Sequence, residues 1–282
     1  MSKFGLVFDS TVYLEKEMLA KNEVRIASLN VVEGTESYRE VEVDVPFVLA
    51  KQDKGAGLMT SQPSPGEFLE AFEELIKEGK EKIFVITLSK NISGTFQSAT
   101  LAKNMLENPD IVYVFDTMLC AYGTEMIALE LIEMINKGSN EKSIITRIDN
   151  IIKNSTQMFT VENLFSLARG GRLSSTQAMI GTVLRVKPII KVIDGKLVLD
   201  KKERSYKKVH KYMIDTIKET LKGKDTVTFY VTETHSPVSG EMLRDELLEI
   251  FPNAKLTFTR YLGPVFSIHV GKKGYGLSWF VE

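Results

Sequence analysis

A chain of 282 residues, 43% of them hydrophobic, can bury a sizeable core and exceeds the roughly 250 residues at which single cores tend to divide, so two domains are expected. Its 36 Lys+Arg nearly balance 37 Asp+Glu, which excludes the broad positive field that gathers nucleic-acid backbones. The single cysteine, Cys120, excludes an internal disulfide and a cysteine-rich metal site, and reads as a small buried hydrophobe in a reducing compartment.

Phe4–Phe8 is an apolar run ended by Asp9, shorter than the h-region of about 7–15 residues that a secretory signal needs. It reads as a first buried strand. Lys, Asp or Pro interrupts the longest later apolar stretches well before the roughly 20 residues that span a bilayer, so a cytoplasmic protein without integral membrane association is expected. Strands Arg25–Val31, Lys82–Leu88 and Ile111–Phe115 follow, alternating with amphipathic helices at Glu15–Lys21, Pro65–Lys77, Thr95–Leu106 and Cys120–Asn136. That alternation predicts an open α/β/α sandwich with a mostly parallel sheet over residues 1–156.

After a helix at Glu141–Asn154 the pattern changes. Lys187–Ile193 and Lys196–Asp200 are strand-like and joined by Asp194-Gly195, a strong hairpin signal. A helix at Tyr206–Leu221, a strand at Thr226–Thr232, a helix around Gly240–Ile250 and strands at Lys255–Tyr261, Val265–Val270 and Leu277–Val281 complete the chain. Residues 157–282 therefore read as an α+β domain with a mixed or antiparallel sheet.

In open α/β sheets ligands lie beyond the carboxyl ends of the strands, where helix N-termini converge. The loops there are Asp9-Ser10-Thr11, Ser89 to Thr95 and Asp116-Thr117. In the second, Ser93 caps orphan amides, Gly94 permits close backbone approach and Thr95 adds a hydroxyl; an ordinary N-cap and an oxyanion nest both fit. Thr60-Ser61-Gln62-Pro63-Ser64-Pro65 presents hydroxyls in a loop stiffened by two prolines, with Ser64 and Glu67 forming a capping box as the plainer reading.

Arg169-Gly170-Gly171-Arg172 is either a left-handed helix stop between solvated arginines or a basic rim that meets an anionic head or a partner. His269, at the end of an apolar strand beside Gly271 and Gly274, is either structural or a head-group contact. His210 and His235 receive no role. Asp9 and Asp116 could ligate a metal ion, but strand-end aspartates usually form turns, and the basic run from Lys201 to Lys211 is a solvated face or a partner surface. No phosphate loop, dinucleotide fingerprint, zinc spacing or nucleophile elbow is present.

Taken in order, Phe8-Asp9-Ser10-Thr11, Thr60-Ser61-Gln62-Pro63-Ser64, Leu88-Ser89 with Ile92 to Ala99, and Arg169-Gly170-Gly171-Arg172-Leu173 resemble the DegV family, the fatty-acid-binding subunits of bacterial fatty-acid kinase. Lys187-Pro188-Ile189-Ile190 and Gly263-Pro264-Val265 with His269 and Gly271 extend the resemblance over nearly the whole chain. It implies one long-chain fatty acid enclosed between the two domains, with its carboxylate held by Thr60, Ser61, Ser93, Gly94 and Thr95. It also ties His269 to the head group, and Arg169 and Arg172 to the head-group rim or kinase docking. The chain departs from the family pattern at Gly271-Lys272-Lys273-Gly274, where the family often has a Gly-Pro-Gly-like turn.

The implied partner is a separate ATP-binding kinase subunit, and the chain itself is expected to carry no cofactor, no metal and no catalytic residue. Burial of about 0.8 kcal/mol per methylene gives a long tail roughly ten kcal/mol before ordering costs. Two other readings stay open at this level. One is a self-sufficient small-molecule kinase or hydrolase using Asp9, Asp116 and His269; the other is a sensory or scaffold protein whose partner surface responds to lipid.

Overall fold

The computed structural model describes residues 2–162, 164–173, 186–224, 226–234 and 240–281. Strands β1 (Phe4–Asp9), β2 (Arg25–Ala27), β6 (Lys82–Thr87) and β7 (Val112–Asp116) form a four-stranded parallel sheet in the order β2-β1-β6-β7. Their near-continuous apolar sequences suit a sheet covered on both faces. Helices α3 (Pro65–Lys77) and α4 (Thr95–Asn104) cover one face, burying Phe68, Phe72, Ala99 and Ala102 against Val7, Ile83 and Val85. Ser64 caps α3 by accepting from the Glu67 amide at 3.2 Å, and Pro65 takes the first-turn position. The Glu67 carboxylate does not close a capping box; it accepts from the Ser28 amide and from Arg39.

The second sheet is mixed, in the order β10-β9-β8-β13-β11-β12, built from β8 (Ser155–Thr160), β9 (Lys187–Ile193), β10 (Lys196–Glu203), β11 (Val227–Glu233), β12 (Lys255–Thr259) and β13 (Tyr275–Val281). All its pairings are antiparallel except β11 with β12. Helices α8 (Tyr206–Thr220) and α9 (Gly240–Ile250) close one face around Met158, Phe229, Leu277 and Trp279. The other face packs on α5 (Tyr122–Asn136) and α6 (Glu141–Asn154), which also cover the parallel sheet. One apolar cluster thus runs from Phe4, Phe84 and Phe115 through α5 and α6 to Phe159 and Phe280, so the two sheets share a core.

A third, antiparallel sheet, β4-β3-β5, comprises β3 (Asn30–Glu33), β4 (Glu36–Arg39) and β5 (Met59–Ser61). It corrects two expectations. The stretch Arg25–Val31 is two strands of different sheets, broken at Ser28-Leu29, and Thr60 and Ser61 stand on a strand rather than in a loop. Against this sheet pack α2 (Val45–Asp53) and α10 (Pro264–Val270), joined by Val31, Val48, Leu58, Val265 and Ile268. The segment 265–270, expected as a strand, is therefore a helix. Its β-branched and aromatic residues favour a strand locally, but Gly263-Pro264 starts a helix and a distant carboxylate satisfies its first amide. Helix α7 (Phe165–Arg169) lies next to α10. No helix among the described residues is long and apolar enough to cross a membrane.

Candidate functional site

The β1 loop turns inward. Asp9 is fully buried; one oxygen accepts from the Thr11 amide at 2.9 Å and the Thr11 hydroxyl, the other from the Leu88 amide at 2.7 Å. Burial pushes its carboxyl up to about 6. Ser10 donates to Glu40 and accepts from the Leu29 amide. Asp9, Ser10 and Thr11 are therefore committed to the frame of the sheet's end. Asp116 is a turn former, accepting from the amides of Lys90 and Met118, with Lys90 Nζ 3.5 Å from its other oxygen.

The loop after β6 carries the expected hydroxyls. Ser93 Oγ lies 2.9 Å from Thr95 Oγ1. The N-cap of α4 is Gly94, not Ser93, and no side chain caps this helix. A Cβ on Gly94 would stand 2.6 Å from Gln62 Nε2, so the Thr-Ser-Gln segment packs directly on the Ser-Gly-Thr loop. Thr60, on β5, brings its hydroxyl to 3.1 Å from His269 Nε2, and the Ser61 hydroxyl accepts from the Asn30 side chain, 3.4 Å from Nδ2. His269 is 8% exposed and occupies the last turn of α10.

The arginines come to the same region. Arg172 is half-buried, donates from Nε to the Ile92 carbonyl at 3.3 Å, next to Ser93, and also reaches the Gly170 carbonyl. Burial lowers its guanidinium pKa. Arg169 donates to the Leu58 carbonyl at 3.2 Å, two residues before Thr60. Gly171, at φ +72°, ends the preceding turn in the left-handed region. The sequence thus placed Thr60, Ser61, Ser93, Gly94, Thr95, His269, Arg169 and Arg172 in segments that the fold brings into mutual contact. The atypical turn after His269 is held by Glu162, which accepts from the Lys272 amide, and by a Lys272–Asp53 ion pair. His210 pairs with Glu246 between α8 and α9, and His235 lies outside the described residues.

Two features escaped sequence reasoning. The first is Gln157 on β8, which is fully buried. It accepts from the Cys120 amide at 3.1 Å and donates to the Cys120 carbonyl at 2.8 Å, clamping the loop after β7 to the second sheet. In that loop Met118 and Ala121 adopt φ +57° and +46°, a strained backbone for residues with a Cβ. Cys120 is inert, its thiol pushed up to about 12 by burial. The second is the β9–β10 turn, whose Asp194 and Gly195 carbonyls accept from Asn91 and Ser89 and so strap the β6 loop.

Between the sheets lies an apolar cavity of about 20 Å³, walled by Tyr122, Phe159, Leu262, Phe266 and Val270, with Gln157 and Thr232 among its polar members. Its volume matches about one water. Helix α10 contributes both a wall, through Phe266 and Val270, and His269. Among the described residues no group of three His, Cys, Asp or Glu side chains is arranged to hold a metal ion.

Residues 3–282 match the family model described as "Uncharacterised protein, DegV family". A DegV domain-containing protein of Listeria innocua is 34% identical over 282 residues, covering 99% of each chain. Among solved structures, Bacillus subtilis DegV, a fatty acid binding protein, superposes with a TM-score of 0.85 at 30% identity over 100% of both chains. A DegV family protein from Thermus thermophilus, presented for its fatty acid binding, gives 0.88 at 27% identity over 100% of both chains. With its full length matched in sequence and in fold, the chain belongs to the DegV family.

Proposed function

We propose that this protein binds one long-chain fatty acid between its two domains and presents the carboxylate to a separate ATP-dependent fatty-acid kinase subunit for acyl phosphate formation. Residues 1–156 supply the head-group hydroxyls of Thr60, Ser61, Ser93 and Thr95 beside Gly94, and residues 157–282 cover the tail and supply His269. Arg169 and Arg172 form the rim toward the head group or the partner. The observation that carries this reading is α10, which puts His269 against Thr60 with one face and walls the apolar cavity with another. Fatty-acid binding by the Bacillus subtilis relative supports it.

A head group held by neutral hydroxyls and an imidazole accepts a carboxylate and an acyl phosphate in similar geometry. In this reading the chain is a substrate-binding subunit and not an enzyme by itself; ATP and metal arrive with the partner, and this chain orients the carboxylate and shields the tail. Burial of the tail contributes about 0.8 kcal/mol per methylene.

The test is native mass spectrometry of the recombinant protein followed by organic extraction. One long-chain acid per chain, lost or weakened in Thr60→Val and Ser93→Ala, is the expected result. No endogenous lipid and no binding of added palmitate or oleate would overturn the reading. With a kinase subunit and ATP, Ser93→Ala is expected to abolish acyl phosphate formation.

A further inference from the structure

Glu40 sits in a short 3-10 turn, 3% exposed, and its carboxylate joins three segments of the chain. Oε1 accepts from the Val265 amide and from the Tyr13 hydroxyl, each at 2.9 Å, and Oε2 accepts from Ser10. The Tyr13 ring in turn lies on Gly263, where a Cβ would stand 2.0 Å from Cε1. Helix α10 begins at Gly263, which has no side chain to cap it, so Glu40 supplies from 225 residues away the acceptor that a local N-cap would give.

Helix α10 has seven residues, too few to hold a position through its own hydrogen bonds, so its placement depends on tertiary contacts at its ends. At the C-terminal end Gln52 donates to the Ile268 carbonyl at 3.2 Å. At the N-terminal end the polar tether is Glu40. Thr60 belongs to a different element, paired through β5 to β3. The Thr60–His269 separation of 3.1 Å leaves only about 0.4 Å before a hydrogen bond is lost.

From this geometry we infer that Glu40 is a positioning residue of the head-group site: by holding the first turn of α10 it sets His269 against Thr60, without touching the ligand itself. The inference rests on the fatty-acid reading for its functional consequence and on geometry alone for its structural one. It also gives a role to Ser10, which donates to the Glu40 carboxylate.

The test uses the full chain with Glu40→Leu, which keeps bulk but no acceptor, and Glu40→Gln, which keeps an acceptor for the Val265 amide. Imidazole ¹⁵N resonances of His269 report its hydrogen bond, and calorimetry with palmitate reports affinity. Glu40→Leu is expected to shift the His269 Nε2 resonance and weaken palmitate about tenfold, with Glu40→Gln staying within about twofold of the parent. If Glu40→Leu does not fold, replacing Val265 by its α-hydroxy-acid analogue, an amide-to-ester exchange, deletes the same hydrogen bond from the helix side and keeps the side chain. A folded Glu40→Leu or Val265 ester protein with an unchanged His269 resonance overturns the inference. Absence of palmitate binding in the parent protein overturns the fatty-acid reading instead, while the resonance still decides the positioning role.

Discussion

Replacing Gln157 by Leu removes the clamp between the β7 loop and the second sheet while roughly keeping side-chain volume. The Cys120 amide, now paired at 3.1 Å, would lose its partner in a buried place, and the Cys120 carbonyl would lose the 2.8 Å bond from Gln157 while keeping the one from the Gly123 amide at 3.0 Å. The orphaned amide costs about 1–3 kcal/mol and the bond lost by the carbonyl about 0.5–1.5 kcal/mol, while the added apolar burial returns about 1 kcal/mol, so a net loss of roughly 0.5–3.5 kcal/mol is expected. For a chain of this size that is a fall in Tm of roughly 1–6 °C, measured by differential scanning calorimetry at fixed pH. Gln157→Glu sharpens the test. Ionised, it sets a carboxylate against the Cys120 carbonyl and should cost more than Leu at pH 8; protonated, it can donate to that carbonyl, so the deficit should shrink toward pH 5. An unchanged Tm for Gln157→Leu would refute the clamp.

Three further outcomes follow from the same structure. Burial raises the carboxyls of Asp9 to about 6 and of Glu40 and Glu125 to about 7, so between about pH 4 and 7 the folded state holds protons that the unfolded chain has released. These groups make stability fall as pH rises through that window, by at most about 1.4 kcal/mol per pH unit for each, and Glu125→Gln should flatten the slope of urea midpoint against pH; an unchanged slope contradicts this. Gly276→Ala places a Cβ 2.3 Å from the Tyr122 hydroxyl and 2.7 Å from the Met158 carbonyl, and should lower stability by about 1–3 kcal/mol in chemical denaturation. Gly94→Ala meets only the exposed, displaceable end of Gln62 at an unstrained φ of −74°, so Tm should hold within the shift of about 0.5 kcal/mol while palmitate affinity falls; a Tm loss with unaltered affinity would reverse that assignment.

Much of the architecture was legible because local signals agreed with the fold. Phe4–Phe8, Lys82–Leu88 and the apolar stripes of α3 and α6 carry their own period, and Asp194-Gly195, both at positive φ, makes the turn its composition requires. The failures come where a partner far along the chain decides. Val265 to Val270 reads as a strand until Glu40 caps it as a helix, and Arg25–Val31 reads as one strand because nothing local reveals that its halves join different sheets. The short strands β4 and β5 have little alternation to detect. At the site, the hydroxyls of Thr60 and Ser93 stood out as clustered small polar residues before prolines or a helix. Gln157 carried no such mark: a single glutamine in Ser155–Thr160 becomes a clamp only when β8 lies beside the Cys120 loop.

The order of strands in the mixed sheet bears on how the protein is made. Its centre is the pairing of β8 with β13, in which Thr160 meets Tyr275 about 115 residues later. A ribosome adding about 5–20 residues per second needs about 6–23 s to supply that distance. Every strand of the parallel sheet, in contrast, is complete by Asp116. The emerging chain can therefore assemble its first sheet early, with the inner faces of α5 and α6 and one edge of β8 waiting for a partner. During that interval these apolar surfaces are open to self-association or to a holdase chaperone, and translation speed across residues 160–275 becomes a determinant of folding yield.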